Sequence, residues 1–254
     1  MQNHSQGFGL IGFPLGHSFS KAHFSKKFEQ EGLSGYHYDN FEIGQISLLG
    51  NIIREHTDLS GLNVTIPYKQ SVMGYLDEMD PEALQIGAVN TIKIMRTNDK
   101  FWLKGFNTDS IGFINSLDIW KLTNNCKALV FGTGGSSLAI TFALARLGIP
   151  FIRVTRQSTA GFMTYGELTE QTALDHNLWI NCTPVGMYPA TGEKLPLPYH
   201  VLTPGHFLFD LVYNPELTEF LNMGSKAGAS LMNGSKMLFE QAEASWRIWT
   251  GKTT

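Results

Sequence analysis

The stretch from Ala128 to Ala139 constrains this chain most. An apolar run, Ala128-Leu129-Val130-Phe131, leads into Gly132-Thr133-Gly134-Gly135-Ser136-Ser137 and then into a helical pattern closed by Gly148. Small residues in such a turn let the backbone approach a pyrophosphate. The helix N-terminus that follows presents N–H donors and the positive end of its dipole. The strict pattern wants a third glycine at 137, where this chain has Ser137, so the motif is a Gly-x-Gly-Gly variant. Glycine runs also make plain tight turns. The strand before and the helix after favour nucleotide binding by Gly132, Thr133, Gly134, Gly135 and Ser136.

Further along, a ribose 2′-hydroxyl would call for Asp or Glu and a 2′-phosphate for Arg. The chain offers Arg153-Val154-Thr155-Arg156-Gln157 and no acid between Pro150 and Gly166. A solvated strand-end arginine would look the same as Arg156, so the missing acid is the stronger half of the argument. NADP is expected over NAD.

The motif sits in a regular series. Strands are expected at Ala128–Phe131, Phe151–Thr155, Leu178–Cys182, Phe207–Val212 and Ala229–Met232, separated by helical stretches, which is the pattern of a parallel, doubly wound sheet. The first half mixes element types. A strand over Phe8–Phe13 is closed by Pro14, a helix over Lys21–Glu31 is capped by Ser20 and stopped by Gly32, and a strand over Leu62–Ile66 is ended by Pro67. Ala88–Ile94 and Phe101–Phe106 read as a hairpin around Thr97–Lys100, and Asp109 opens a helix through Leu117. A last helix is expected over Met237–Trp249.

Composition narrows the function classes. With 22 acidic and 19 basic residues the net charge is −3, which argues against a general nucleic-acid or polybasic membrane binder. An apolar fraction of 43% excludes disorder. Cys126 and Cys182 are far apart, with no Cys-x-x-Cys and no histidine at ligand spacing, so neither a disulfide framework nor a metal site is expected. No basic, apolar leader opens the sequence and no run is long enough to span a bilayer, which makes a cytoplasmic protein the expectation. The remaining histidines, including His17 and His23, and the pair Trp246 and Trp249 read as packing residues. Cys182 reads as a small buried side chain at a strand end.

Several polar clusters lie where strands end in the first half. They are Gly16-His17-Ser18-Phe19-Ser20, Asn63-Val64-Thr65-Ile66-Pro67-Tyr68-Lys69, Gly87-Ala88-Val89-Asn90-Thr91 and Asn107-Thr108-Asp109. Taken singly, each has a plain explanation as a cap, a surface charge or an edge-strand polar residue. In this order, and joined by Asn181-Cys182-Thr183-Pro184-Val185-Gly186-Met187, Asp210-Leu211-Val212-Tyr213-Asn214-Pro215 and Gly234-Ser235-Lys236-Met237-Leu238, the sequence resembles the shikimate dehydrogenase family nearly end to end.

The resemblance implies an NADP-dependent enzyme that reversibly reduces 3-dehydroshikimate to shikimate, in the pathway to chorismate and the aromatic amino acids. It implies a mixed-sheet substrate domain over 1–108, a Rossmann-type nucleotide domain over 109–233, and a C-terminal helix over 234–254 that packs back on the first. The substrate carboxylate falls to Ser18 and Ser20, helped by Tyr213. The ring hydroxyls fall to Asn63, Thr65, Lys69, Asn90, Asp109 and Gln241. Lys69 and Asp109 match the catalytic pair, and Gly234 and Met237 match positions near the nicotinamide. A positioned ammonium can stabilise a developing alkoxide and supply its proton, and a carboxylate beside it orients it.

Two departures stand out. Ser18-Phe19-Ser20-Lys21 replaces the Ser-Leu-Ser-Pro of many relatives but keeps both serines. Thr155-Arg156-Gln157 lacks the second basic residue of many NADP-specific relatives, so the strength of the NADP preference stays open. Two alternatives remain. A quinate/shikimate dehydrogenase with relaxed use of NAD would want an acid near 156, which is absent. A non-catalytic, ligand-sensing relative would be expected to have lost Lys69 or Asp109, and both are present. Monomer and homodimer are both compatible with the sequence.

Overall fold

The computed structural model describes residues 5–15, 19–97, 100–122 and 125–251. The chain divides into two compact units, one of residues 1–108 with 241–254 and the other of residues 109–240. Ser18, His17, the tip of the expected hairpin at Asn98 and Asp99, and the last three residues lie outside the described residues.

Among the described residues, the first unit has six strands: β1 (Gln6–Gly12), β2 (Tyr36–Glu42), β3 (Leu59–Val64), β4 (Glu78–Met79), β5 (Thr91–Thr97) and β6 (Lys100–Phe106). Its helices are α1 (Phe19–Gln30), α2 (Leu49–Glu55) and α3 (Pro81–Ile86). The strands form one mixed sheet in the order β2-β1-β3-β5-β6-β4. β1 runs parallel to β2 and β3, whereas β5 is antiparallel to both β3 and β6. Alternation along β1 divides the core: Phe8 points to one face and Ile11 to the other. Ile11 joins Leu49, Ile53, Leu62, Val72 and Ile92. Phe8 joins an aromatic layer with Phe24, Phe28, Tyr38, Trp246 and Trp249. Phe8 stacks on Trp249 with ring centroids 4.8 Å apart, and Phe24 stacks on Tyr38 at 4.8 Å.

The second unit begins with α4 (Asp109–Leu117) and continues through β7 (Ala128–Phe131), α5 (Gly135–Arg146), β8 (Phe151–Thr155), β9 (Met163–Thr164), α6 (Glu170–Asp175), β10 (Leu178–Asn181), β11 (Phe207–Asp210), α7 (Glu219–Lys226) and β12 (Ser230–Met232). The helix α8 (Ser235–Thr250) follows, its first turns in this unit and the rest, from Gln241, in the first. The sheet order is β12-β11-β10-β7-β8-β9, and every neighbouring pair is parallel. The first strand of the series thus lies at the centre. β8 and β9 step outward on one side of it, and β10, β11 and β12 on the other. This is the doubly wound arrangement, whose switch point falls between β7 and β10. Val130 faces a core with α4 and α5, through Phe113, Ile140 and Leu144. Leu129 and Phe131 face the opposite core, with Ala173 of α6 and Phe220 and Leu221 of α7.

Some boundaries differ from the sequence reading. α1 starts at Phe19, so Ser20 lies within its first turn instead of capping it. β5 begins at Thr91 and not at Ala88, because Ala88 to Asn90 form a connection whose backbone bonds go elsewhere: Val89 N–H donates to the Lys69 carbonyl at 2.7 Å and Asn90 N–H to that of Phe106 at 3.1 Å. β10 and β11 stop at Asn181 and Asp210, where polar side chains take over from the ladder. Cys182, just past β10, is half-buried. The strand β2 has no counterpart in the sequence reading. It lies at the sheet edge and buries only Tyr38, so its pattern is too polar to stand out. Among the described residues, no helix is long and apolar enough to cross a membrane.

Candidate active site

In the first unit, the polar clusters at 63–69, 87–91 and 107–108 come together with α8. The Asn90 side chain is 3% exposed and fully engaged. Its Nδ2 donates to Thr108 Oγ1 and to Gln241 Oε1, both at 3.0 Å, while its Oδ1 accepts from Thr108 N at 2.7 Å and from Thr91 Oγ1 at 3.1 Å. Asn63, at the end of β3, donates through Nδ2 to the Asn90 carbonyl at 3.3 Å and to Ser245 Oγ at 3.0 Å, and its Oδ1 accepts from Tyr38 O–H at 2.8 Å. Thr91 Oγ1 and Ser245 Oγ are 2.8 Å apart. Asn107 closes the floor by donating to the Ala88 carbonyl at 2.9 Å. Of the substrate residues expected from sequence, Asn63, Asn90 and Gln241 therefore form one hydrogen-bonded group.

Thr65 and Lys69 border that group on the segment after β3. Thr65 N–H donates to the Ile11 carbonyl at 2.9 Å and accepts, through its own carbonyl, from Tyr68 N–H at 2.9 Å. Those bonds fix the turn that carries Lys69, whose side chain is half-buried. Tyr68 anchors the turn from below: its hydroxyl donates to the Ile43 carbonyl and its ring joins the core. Ser20, half-buried on α1, is hydrogen-bonded to the Tyr38 hydroxyl. Tyr38, Thr91, Thr108 and Ser245 are members of this group that sequence reasoning did not single out as ligand residues. Thr91 and Thr108 lie inside motifs already noted. Tyr38 sits on an unremarkable edge strand and Ser245 on a helix face, with no local signal.

In the second unit, Asp109 is 1% exposed and opens α4, the helix end where the dipole favours a carboxylate. Ser116 and Ser110 are also buried on this helix. The glycine turn lies at the switch point of the sheet. Gly132 has φ +113°, and a Cβ there would meet Thr183 Cγ2 at 3.1 Å and the Cys182 backbone at 3.3 Å. The turn after β7 and the turn after β10 thus pack too closely for a side chain. Gly134 is the N-cap of α5, and a Cβ on it would point into open space. The helix N-terminus is thus open at Gly134, and its N–H groups are of the kind that suit a pyrophosphate. Ser137 explains the absent third glycine: its hydroxyl turns back to donate to the Gly132 carbonyl at 2.7 Å and is 1% exposed.

Arg156 is exposed just past β8, where its charge reaches Tyr165. Burial pushes the Tyr165 phenol up to about 12, so it stays neutral. Arg153, by contrast, stacks on Phe162 at 3.9 Å. Asn181 and Asp210 end adjacent strands and grip each other: Asn181 Nδ2 donates to Asp210 Oδ1 at 2.9 Å, and Asn181 Oδ1 accepts from Thr183 Oγ1 at 2.7 Å. Gly234 approaches the Leu211 carbonyl so closely that a Cβ would collide with it. Met237 is 5% exposed and packs with Phe113 and Phe209 in the core of this unit. Tyr213 lies exposed on the loop after β11. Among the described residues, no three His, Cys, Asp or Glu side chains are grouped to hold a metal ion.

Residues 10–92 match the family model described as the shikimate dehydrogenase substrate binding domain. A shikimate dehydrogenase (NADP(+)) of Caldanaerobacter subterraneus subsp. tengcongensis is 37% identical, the match covering 96% of this chain and 91% of the relative. This chain belongs to the shikimate dehydrogenase family. The crystal structure of shikimate dehydrogenase 1 from Peptoclostridium difficile is similar, with a TM-score of 0.84 and 36% identity over 98% of this chain and 93% of that one. Shikimate 5-dehydrogenase from Thermus thermophilus, crystallised in complex with NADP(H) and shikimate, gives a TM-score of 0.84 at 30% identity, covering 97% of this chain and 94% of that one.

Proposed function

We propose that this chain is an NADP-dependent shikimate dehydrogenase that interconverts 3-dehydroshikimate and shikimate. The observation that carries the reading is the polar group in the first unit, where Asn63, Asn90 and Gln241 converge in one hydrogen-bonded network with Thr91, Thr108 and Ser245. Its donors and acceptors suit a ligand rich in hydroxyls. The Thermus relative crystallised with NADP(H) and shikimate supports the choice of ligands.

Within this reading, Ser18 and Ser20 hold the substrate carboxylate with Tyr213. Asn63, Thr65, Asn90 and Gln241 orient the ring hydroxyls. NADP, when bound, takes up or delivers the hydride. Lys69 is the proton-transfer group: its ammonium faces the oxygen that changes between hydroxyl and ketone, and it stabilises charge there as the proton moves. Asp109 is read as the second member of the catalytic pair. Gly132, Thr133, Gly134, Gly135 and Ser136 cradle the pyrophosphate, Arg156 meets the 2′-phosphate, and Gly234 and Met237 border the nicotinamide end. The substrate domain is read as residues 1–108 and the nucleotide domain as 109–233, with the C-terminal helix over 234–254 joining the first unit from Gln241 onward. We read the enzyme as cytoplasmic, because its two cysteines form no disulfide, and as a monomer or homodimer.

The test is direct. Purified protein should reduce NADP with shikimate at a rate readily followed by NADPH absorbance, and faster than with NAD or with quinate. Equal rates with NAD would replace the reading with a dual-cofactor quinate/shikimate dehydrogenase, and no turnover with any pair would leave a non-catalytic relative.

A further inference from the structure

A file of buried and half-buried hydroxyl and amide groups crosses the first unit from α1 to α8. Ser20 on α1 is hydrogen-bonded to the Tyr38 hydroxyl on β2. Tyr38 O–H donates to Asn63 Oδ1 on β3 at 2.8 Å. Asn63 Nδ2 donates to Ser245 Oγ on α8 at 3.0 Å, and Ser245 Oγ donates to the Gln241 carbonyl one turn earlier at 2.9 Å.

The direction of the file is fixed by chemistry. The Asn90 carbonyl can only accept, so the Asn63 group that faces it at 3.3 Å must be the NH2. The Asn63 oxygen therefore faces Tyr38, which must donate. Tyr38 is 2% exposed, and burial holds its phenol far above the ordinary range, so it remains an O–H donor at every pH the enzyme meets. Its oxygen is then left to accept from Ser20. Ser245 is fully buried, with its Oγ 2.8 Å from Thr91 Oγ1. Neither Tyr38 nor Ser245 has a role in the assignment of ligand residues above, yet each is bonded to residues that have one.

We infer that Tyr38 and Ser245 are positioning residues for the substrate. They clamp the Asn63 amide from both sides, and they tie it to Ser20 at one end and to the Gln241 turn at the other. This rests on the reading of Ser20, Asn63 and Gln241 as shikimate ligands. The clamp acts on three groups in one unit, so losing a member should weaken substrate binding without touching the nucleotide. Leaving the half-buried Asn63 amide oxygen without its donor is the costly event.

The experiment measures shikimate and NADP dissociation constants by calorimetry on the intact protein, with steady-state rates alongside. Tyr38→Phe keeps the ring stacked on Phe24 and removes only the hydroxyl. Ser245→Ala removes the other jaw. Each is expected to raise the shikimate dissociation constant and KM about tenfold. The NADP constant and kcat should stay within about twofold, and the double variant should lose less than the product of the two effects. If Tyr38→Phe does not fold, Ser245→Ala decides by the same readout. Unchanged shikimate affinity in the folded variants, or an equal loss of NADP affinity, overturns the inference alone. Wild-type protein that binds no shikimate overturns the functional reading and the inference together.

Discussion

The two units solve the problem of presenting polar groups to a ligand in opposite ways. The second uses a parallel sheet whose strand ends all fall on one edge, so the turn after β7, the proposed pyrophosphate loop, needs no further construction. The groups involved are consecutive in sequence, and the backbone supplies most of them. The first unit uses a mixed sheet, and its polar group is assembled from side chains on β2, β3, the connection before β5, the end of β6 and α8. Each of these is paired with another, so the cost of burying them is met by their own network. A backbone site tolerates changes in side chains, while a side-chain site depends on every member.

That difference can be broken by substitution in each unit. The largest effect is expected from Lys69→Ala, which should lower kcat by about 100-fold or more while leaving the NADP constant in place. Turnover near wild type would remove Lys69 from proton transfer. A smaller effect is expected from Arg156→Ala. It should raise the KM for NADP about tenfold and leave the shikimate KM alone, in line with the loss of one exposed charge-assisted contact. An NADP KM that did not move would assign 2′-phosphate recognition to the backbone.

The smallest effect concerns stability. Asp210 is fully buried and accepts from Asn181 Nδ2, Val212 N and Thr218 Oγ1, yet burial raises its carboxyl from 3.8 to about 7. The folded chain then keeps a proton that the unfolded chain has already released. The contribution of Asp210 to stability therefore falls as pH rises from about 4 to about 7 and is level above that. Relative to Asp210→Asn, the wild-type melting temperature should decline by a few degrees between pH 5 and pH 7.5. A gap that did not change with pH would show that the three hydrogen bonds outweigh burial.

The units also differ in how much of them could be read beforehand. In the second, α4 and the strands β7 and β8 fall on the expected residues, because a buried parallel strand is a short apolar run and its helix follows at once. Even Ser137 was visible as a departure from the glycine pattern, although its role in closing the turn was not. In the first unit, Asn63, Asn90 and Gln241 could be named from motifs, but nothing in the order of residues joins 63 to 245 or 38 to 63.

Sequence alone determined the family, the doubly wound half and the identity of most polar residues, because these follow from local periodicity and from contiguous motifs. Only the tertiary structure decided which of those side chains share hydrogen bonds, that α8 serves both units, and that Tyr38 and Ser245 stand behind Asn63. The physical reason is the range of the interaction. Strand and helix patterns are set by neighbours a few positions apart, whereas a buried hydroxyl finds its partner only after the sheet has brought distant segments within about 3 Å.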